Sequence, residues 1–129
     1  MADGIRDINS GDFADVIKES EKLVIVEFYN DNCSQCRAIA PVYSDLSKEL
    51  KDFALFTKIN VVPNVQLAQE LGVMGTPTFK FFCAGRTIGE IVGAINATIL
   101  RNTIKDMVRH KNECITKSTP INYEMDGYM

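Results

Sequence analysis

Two cysteines, Cys33 and Cys36, stand two residues apart at the boundary between two kinds of apolar pattern. The preceding segment, Leu23 to Tyr29, is almost continuously apolar, which is typical of a strand covered on both faces in a parallel sheet. The apolar residues that follow the pair have helical spacing. The cysteines are therefore predicted to lie where a parallel strand ends and a helix begins, the edge of an α/β sheet at which sites usually assemble.

This position changes the expected chemistry of the first thiol. Unpaired N–H groups and the helix dipole favour an anion at a helix N-terminus, so we expect the pKa of the Cys33 thiol to lie below the value of about 8.5 of a free thiol. Cys33 is therefore the expected nucleophile. Cys36, one turn further along and better shielded, would attack a mixed disulfide and release the reduced substrate.

The residues leave two other interpretations of the pair open: half of a zinc site, or two inert cysteines. A tetrahedral structural zinc site needs four ligands, commonly from two such pairs. The sequence has no second pair with this spacing, and its single histidine, His110, follows the last predicted helix. Cys83 and Cys114 are expected to be a small buried side chain and an incidental thiol in the tail.

Periodicity places the pair in an alternating series of strands and helices, which predicts an α/β protein with a partly parallel sheet. Ser10 is expected to cap the first helix, Pro41 to kink the second, and Tyr29 to lie in the core. Four residues of the last helix are expected to face inward: Ile99, Leu100, Ile104 and Val108. The predicted strands are 5–8, 23–29, 53–60, 78–83 and 87–92, and the predicted helices are 10–20, 33–50, 65–71 and one from about 96.

The whole chain has 129 residues, of which 46% are hydrophobic, enough for one globular domain. We assign residues 1–110 to that domain and residues 111–129 to a polar tail that is expected to be flexible. The formal net charge of −3 predicts neither a nucleic acid nor an anionic membrane as a partner. The first residues lack the features of a signal peptide, and no apolar run approaches the roughly 20 residues that span a bilayer, so we expect a cytosolic protein.

Four segments together resemble the thioredoxin family in their order and spacing. They are VIVEFYNDNCSQCRAIAP, FTKINV, GVMGTPTFKFF and GRTIGEIVGA. The resemblance implies a thioredoxin fold, which is a central mixed sheet of four or five strands flanked by helices. It also implies dithiol–disulfide exchange with disulfide-containing protein substrates, a separate reductase as the electron donor, and no bound cofactor or metal. We expect the protein to be a monomer.

Five further positions match the family's site, one at a time. Pro77 matches the family's cis-proline, and Thr76 before it would present its backbone to an extended substrate strand. Glu27 takes the place of a buried aspartate that exchanges a proton with the second cysteine, and Lys58 matches the lysine beside that acid. Gly93 matches a glycine that borders the substrate groove. From the residues alone, Glu27 is open to a second interpretation as a solvent-facing residue of an edge strand, and Lys58 as a surface lysine.

The site motif departs from the family's usual Trp-Cys-Gly-Pro-Cys. Here it reads Asn32-Cys33-Ser34-Gln35-Cys36, and the chain contains no tryptophan. Asn32 therefore stands where the family has an apolar contact residue, and it is expected to face the substrate. Two functions follow as hypotheses: a protein-disulfide reductase that uses a reversible Cys33–Cys36 disulfide, or a binding or redox-sensing module with little turnover.

Overall fold

Strands and helices alternate along the chain, as the periodicity predicts. The computed structural model describes residues 4–19, 22–93 and 96–109. Within these residues the strands are β1 (Arg6–Ile8), β2 (Leu23–Tyr29), β3 (Ala54–Asn60), β4 (Thr78–Cys83) and β5 (Arg86–Val92). The helices are α1 (Ser10–Glu19), α2 (Ser34–Glu49), α3 (Val65–Glu70) and α4 (Ala97–Arg109).

The five strands form one mixed sheet in the order β1-β3-β2-β4-β5. β1, β3 and β2 are parallel, β4 runs antiparallel to β2, and β5 runs antiparallel to β4. The predicted mixed sheet flanked by helices is therefore confirmed. β2 lies at the centre and is buried from Leu23 to Phe28, which explains why its sequence is almost continuously apolar. Its carboxyl end leads into a short loop that ends at Cys33, directly before α2, and α2 carries Cys36.

Helices cover both faces of the sheet and enclose two separate clusters of apolar side chains. The first cluster lies between the sheet and helices α2 and α4, and includes Ile25, Ile39, Tyr43, Leu46, Phe56, Phe79, Leu100 and Ile104. The second lies under α1 and α3, and includes Phe13, Val16, Ile17, Val24, Val26, Phe28 and Phe82, with Leu67 packed against it. Burial on both faces fixes the register of the strands, because a slip of one residue would exchange the two clusters.

A buried lysine interrupts the second face. Lys80 of β4 is 7% exposed and is the Cα partner of Glu90 on the edge strand β5. Its Nζ lies 2.6 Å from Glu90 Oε1, so the buried charge has a directly bonded partner. The side chain of Glu90 is 48% exposed, which means that the pair opens to solvent on the carboxylate side.

Two details of the helices differ from the sequence expectations. Asn9 caps α1 in place of Ser10, because the Asp12 N–H donates to Asn9 Oδ1 at 3.0 Å. In α4, Leu100 and Ile104 are buried as predicted, whereas Ile99 is 50% exposed. One position along a helix turns a side chain by about 100°, so the burial of Leu100 leaves Ile99 at the rim of the apolar face. Val108 packs partly buried against the first cluster.

Two other expectations concern chain segments. α2 continues through Pro41 to Glu49, and the kink expected at that proline stays a prediction. The polar tail, residues 111–129, lies outside the described residues, and its boundary with the domain stays a prediction. None of the helices in the described ranges combines the length and the apolar character that crossing a membrane requires.

Candidate active site

The two cysteines lie at the start of α2, as predicted. Cys33 is the N-cap residue, with φ −101° and ψ 110°, and its Sγ accepts the N–H of Cys36 at 3.0 Å. The Arg37 N–H donates to the Cys33 carbonyl oxygen at 3.1 Å and closes the first helical turn. Cys33 and Cys36 are joined by a disulfide, with their Cα atoms 5.2 Å apart. Cys33 is partly exposed and Cys36 is only 5% exposed, so solvent reaches the two residues unequally.

A loop before β4 lies against the cysteine pair. The Thr76–Pro77 peptide bond is cis, which confirms the conformation that the resemblance implies. Cys33 Sγ lies 3.5 Å from the Thr76 carbonyl oxygen. The Gly93 N–H donates to the Pro77 carbonyl oxygen at 2.9 Å, and Gly93 has φ +88°, a backbone conformation that favours glycine. Thr76, Pro77 and Gly93 are thus brought together beside Cys33.

An apolar groove of about 210 Å³ continues from this loop towards α4. Its lining residues are Gln35, Ala38, Ile39, Val42, Pro77, Gly93 and Ala97. Among the described residues of that lining, Gln35 supplies the only polar side chain. Asn32 is exposed in the loop before Cys33, with its N–H bonded to Asn30 Oδ1 at 2.9 Å, and it is not part of the groove wall.

Glu27 lies on the central strand β2 and is 4% exposed, which excludes its interpretation as a solvent-facing residue of an edge strand. Burial raises the pKa of Glu27 to about 7, and the positive charge of Lys58 opposes this rise. Glu27 and Cys36 line the same cavity, which has a volume of about 240 Å³. The other lining residues are Tyr29, Asn30, Asp31, Arg37, Ala40 and Lys58. The carboxyl group and the second cysteine therefore border the same space.

Lys58 lies beside Glu27 without forming an ion pair. The two residues are Cα partners on β3 and β2, but none of the ion pairs among the described residues involves Lys58. Instead its Nζ lies 5.2 Å from the centroid of the Tyr29 ring. The lysine therefore acts on Glu27 through its charge and not through a direct hydrogen bond.

Tyr29 is the residue that sequence reasoning placed wrongly. It is half-buried at the cavity and not in the core, and its hydroxyl donates to Asp7 Oδ2 at 3.3 Å. Burial and the nearby carboxylates raise the pKa of Tyr29 to about 12, so the phenol keeps its proton at neutral pH. A signal was present in the sequence: Tyr29 follows Glu27 by two positions on one strand, and such residues share a face of the sheet.

The remaining cysteines do not enlarge this site. Cys83 is buried at the end of β4, as expected, but its sulfur is disulfide-bonded and so it is not a free thiol. Cys114 and His110 lie outside the described residues. Across residues 4–19, 22–93 and 96–109, no three His, Cys, Asp or Glu side chains are grouped in a way that would hold a metal ion.

Comparison with known proteins identifies the family. A thioredoxin family model matches residues 4–106. Thioredoxin H4 of Arabidopsis thaliana is 39% identical over 93 residues, which cover 69% of this chain and 78% of that protein. A thioredoxin of Neurospora crassa is 37% identical over 103 residues, which cover 78% of this chain and 76% of the relative.

Solved structures agree with these sequence matches. The crystal structure of a thioredoxin from Malassezia sympodialis superposes with a TM-score of 0.75 at 30% identity, covering 82% of this chain and 92% of that one. Thioredoxin f2, solved in complex with ferredoxin:thioredoxin reductase, gives a TM-score of 0.74 at 28% identity, with 83% and 98% covered. With relatives of this kind, a binding module with little turnover is not the favoured function. The chain belongs to the thioredoxin family and is a thiol–disulfide oxidoreductase.

Proposed function

We propose that the chain reduces disulfide bonds in protein substrates, with Cys33 as the attacking thiol and Cys36 as the resolving thiol. The observation that carries this assignment is the unequal exposure of the two cysteine residues at the start of α2. An incoming disulfide reaches Cys33 first. After reduction of the pair, the Cys36 N–H, which donates to Cys33 Sγ at 3.0 Å, favours a thiolate at Cys33, because a hydrogen bond to the charged form lowers a pKa.

The reaction transfers two electrons from the reduced pair to the substrate. The Cys33 thiolate attacks one sulfur of the substrate disulfide, a Cys33–substrate bond forms, and the other substrate sulfur leaves and takes up a proton. Cys36 then gives its proton to the Glu27 carboxylate and attacks Cys33 Sγ. The second substrate thiol is released, and the Cys33–Cys36 disulfide seen here remains. The substrate is thereby reduced and the pair is oxidised.

Glu27 is proposed as the acid–base group of the second step. A general base works best when its pKa lies near the working pH, and burial raises the pKa of Glu27 to about 7. The cavity that Glu27 shares with Cys36 gives the proton a path, directly or through water. We assign Lys58 a supporting role, since its charge limits how far burial raises that pKa.

Thr76, Pro77 and Gly93 are proposed to bind the substrate backbone and the residues next to its cysteine. The Thr76 carbonyl oxygen, 3.5 Å from Cys33 Sγ, is placed to accept a hydrogen bond from an extended segment. The apolar groove beyond Pro77 offers room for a neighbouring side chain. Asn32, exposed on the other side of Cys33, is proposed as a polar contact in place of the family's tryptophan.

A separate reductase is proposed to regenerate the reduced pair, and the thioredoxin solved in complex with ferredoxin:thioredoxin reductase supports this partner class. We propose a monomer in the cytosol that requires neither nucleic acid nor a membrane. The reductive direction needs a compartment that keeps thiols reduced. One relative, from Chlamydomonas reinhardtii, is chloroplastic, so microscopy of a fluorescent fusion is the experiment that distinguishes the two compartments.

Trapping of the mixed disulfide tests the roles of the two cysteines. Cys36→Ser should accumulate a substrate adduct on Cys33, whereas Cys33→Ser should form none. Both variants should lose turnover of a disulfide protein by at least about 10³-fold, because each step needs its own thiol. Mass spectrometry of the adducts decides the assignment: an adduct on Cys36 in the Cys33→Ser variant would reverse it. Wild-type turnover no faster than dithiothreitol alone, with a stable partner complex, would favour the binding module.

The direction of electron flow has its own test. The helix N-terminus and the hydrogen bond to Cys33 Sγ favour the reduced state, and Ser34 of the Ser34-Gln35 pair, which replaces the family's Gly-Pro, can donate a further hydrogen bond to a Cys33 thiolate. We expect a reduction potential between about −200 and −270 mV, at or somewhat above that of thioredoxin. Equilibration with glutathione buffers followed by alkylation measures it. A potential near about −120 mV would make the chain an oxidant and contradict the reductase function.

A further inference from the structure

The cavity beside Glu27 is lined on one side by the aromatic ring of Tyr29, which has no role in the proposed reaction. Lys58 and Glu27 are Cα partners on adjacent strands and line the same cavity, yet the ammonium group makes no ion pair in the described part of the chain. It lies 5.2 Å from the centroid of the Tyr29 ring. At this distance the quadrupole of a phenol ring attracts a cation. The ring therefore contributes to the position of the ammonium group beside the cavity.

The Tyr29 ring is anchored by a residue of β1, the strand on the other side of β3. Asp7 on β1 is the Cα partner of Lys58, on the side opposite to Glu27. The Tyr29 hydroxyl donates to Asp7 Oδ2 at 3.3 Å. The Tyr29 side chain thus reaches from β2 to a residue of β1, and Lys58 of β3 lies against it. Three neighbouring strands contribute one residue each to this arrangement, and Glu27 faces it across the cavity.

We propose that Tyr29 is a positioning residue for the proton step: its ring, anchored to Asp7 through the hydroxyl, keeps the Lys58 ammonium group beside the cavity that Glu27 and Cys36 share. Without the ring, the flexible lysine side chain moves towards the exposed Asp7 carboxylate and towards water. Its charge then acts more weakly on Glu27. The inference rests on the proposed role of Glu27, since the position of Lys58 affects exchange only through that carboxyl group.

Other charged groups around Glu27 do not replace Lys58. Several titratable or charged groups face the carboxyl group or its cavity. They are Tyr29 of β2, Asp31 after β2, Lys58 of β3, and Cys36, Arg37 and Tyr43 of α2; Asp7 of β1 acts through its bond to Tyr29. On the remaining neighbour, β4, the Cα partner of Glu27 is the uncharged Phe79. Arg37 donates to the Asp31 carbonyl oxygen at 2.8 Å. Lys58 is the cation whose charge lowers the pKa of Glu27, so its withdrawal should raise that pKa.

The test is a direct titration of the Glu27 side-chain carboxyl group by NMR in the oxidised protein. Tyr29→Leu should raise the titration midpoint by roughly 0.3 to 1 pH unit, because the Lys58 charge then acts on the carboxylate from a greater distance. Tyr29→Phe keeps the ring and removes only the bond to Asp7, so it is the matched control and should give less than half of that shift. Lys58→Met should shift the midpoint upward at least as far as Tyr29→Leu does. Tyr29→Met, also without a ring, repeats the test if the leucine variant does not fold.

A double variant separates positioning from a general disturbance of the cavity. If Tyr29 acts through Lys58, Tyr29→Leu added to Lys58→Met should produce no further shift. An equal shift in the presence and absence of Lys58, no shift, or a downward shift in Tyr29→Leu would each overturn the inference. The titration needs no turnover, so it remains decisive even if Glu27→Gln leaves the pH–rate profile unchanged and thereby contradicts the proposed role of Glu27 in exchange.

Discussion

Each face of the sheet carries one lysine and one glutamate as Cα partners on neighbouring strands, and the two couples differ in structure. On the face covered by α1, Lys80 Nζ lies 2.6 Å from Glu90 Oε1. On the face covered by α2, Glu27 and Lys58 are partners in register but form no ion pair. In the first couple the lysine and the carboxylate are held together as an ion pair. In the second, the carboxyl group has a pKa of about 7 and titrates near neutral pH.

The difference arises from position in the sheet and from the neighbours of each lysine. Glu90 belongs to an edge strand and its side chain is half exposed, so water solvates the charged carboxylate. Glu27 belongs to the central strand, where burial penalises the charged form. The Lys80 ammonium group contacts its carboxylate partner directly, whereas the Lys58 ammonium group lies against the Tyr29 ring. The same two residue types therefore give a structural ion pair in one place and a carboxyl group that titrates near neutral pH in the other.

The largest effect should appear when the same substitution is made in both couples and exchange is measured. Glu27→Gln should slow substrate release near pH 7 by roughly 10- to 100-fold, because a positioned general base contributes about that much or more. Glu90→Gln should leave the rate within about twofold, since Glu90 lies on the other face. Stopped-flow measurement of the pH–rate profile checks both. An unchanged profile in Glu27→Gln would remove the carboxyl group from the mechanism.

Stability should depend on pH through Glu27. The carboxyl group loses its proton near 4.5 in the unfolded chain and near 7 in the folded one. Between these values the folded state holds a proton that the unfolded state has released, so the free energy of unfolding falls as the pH rises, by up to about 3 kcal/mol. Glu27→Gln should therefore be more stable than wild type by about 1–3 kcal/mol at pH 8 and equal to it at pH 4. Urea unfolding at pH 4, 6 and 8 measures the difference, and a constant offset would contradict it.

Glu90→Gln should change stability in the opposite direction. The substitution leaves the ammonium group of Lys80 buried without a negative partner, which costs about 1–2 kcal/mol at pH 7, less than for a fully buried pair because Glu90 is half exposed. The double variant Lys80→Met with Glu90→Gln should recover most of this loss, since no buried charge remains. A stabilised Glu90→Gln variant in the same urea titrations would show that the two couples do not differ in the way the contacts indicate.

The smallest effect is expected for Tyr29→Phe. Its hydroxyl bond to Asp7 is 3.3 Å long and exposed, so its loss should change the free energy of unfolding by no more than about 0.5 kcal/mol. The ring and its contact with Lys58 are kept. If the free energy of unfolding fell by several kcal/mol, the hydrogen bond from the Tyr29 hydroxyl to Asp7 would be important for the fold. The variant would then be unsuitable as a control for the titration of Glu27.

Much of the central architecture was predictable because it depends on local pattern. The apolar run from Leu23 to Phe28 identified a central strand, and the glutamate inside that run was expected to be buried because its neighbours allow no solvent-facing side. The placement of Cys33 and Cys36 at a helix start followed from the switch between strand and helix spacing. These features need only residues that are close in the sequence.

The remaining features depend on residues that are distant in the sequence. Tyr29 was expected in the core because it ends an apolar run, and only the pairing of β1 with β3 brings Asp7 within reach of its hydroxyl. The position of Lys58 follows from that same pairing. Ile99 matched a helical period but lies at the rim, since the packing of Leu100 and Ile104 on the sheet sets the rotation of α4. Asn9 and Ser10 are both good capping residues, and the prediction of Ser10 was wrong because local sequence does not distinguish them.

The sulfur of Cys33 has a consequence for how this chain can change during evolution. It accepts the Cys36 N–H and so serves as the cap of α2 as well as the reactive atom. Serine at position 33 would keep an acceptor at that place, while alanine would remove it and cost about 1 kcal/mol of helix stability. A lineage that loses the redox activity but keeps the fold can therefore replace Cys33 by serine with little loss of helix stability. Descendants of this chain with serine at position 33 would be folded scaffolds, free to acquire binding functions on the groove they inherit.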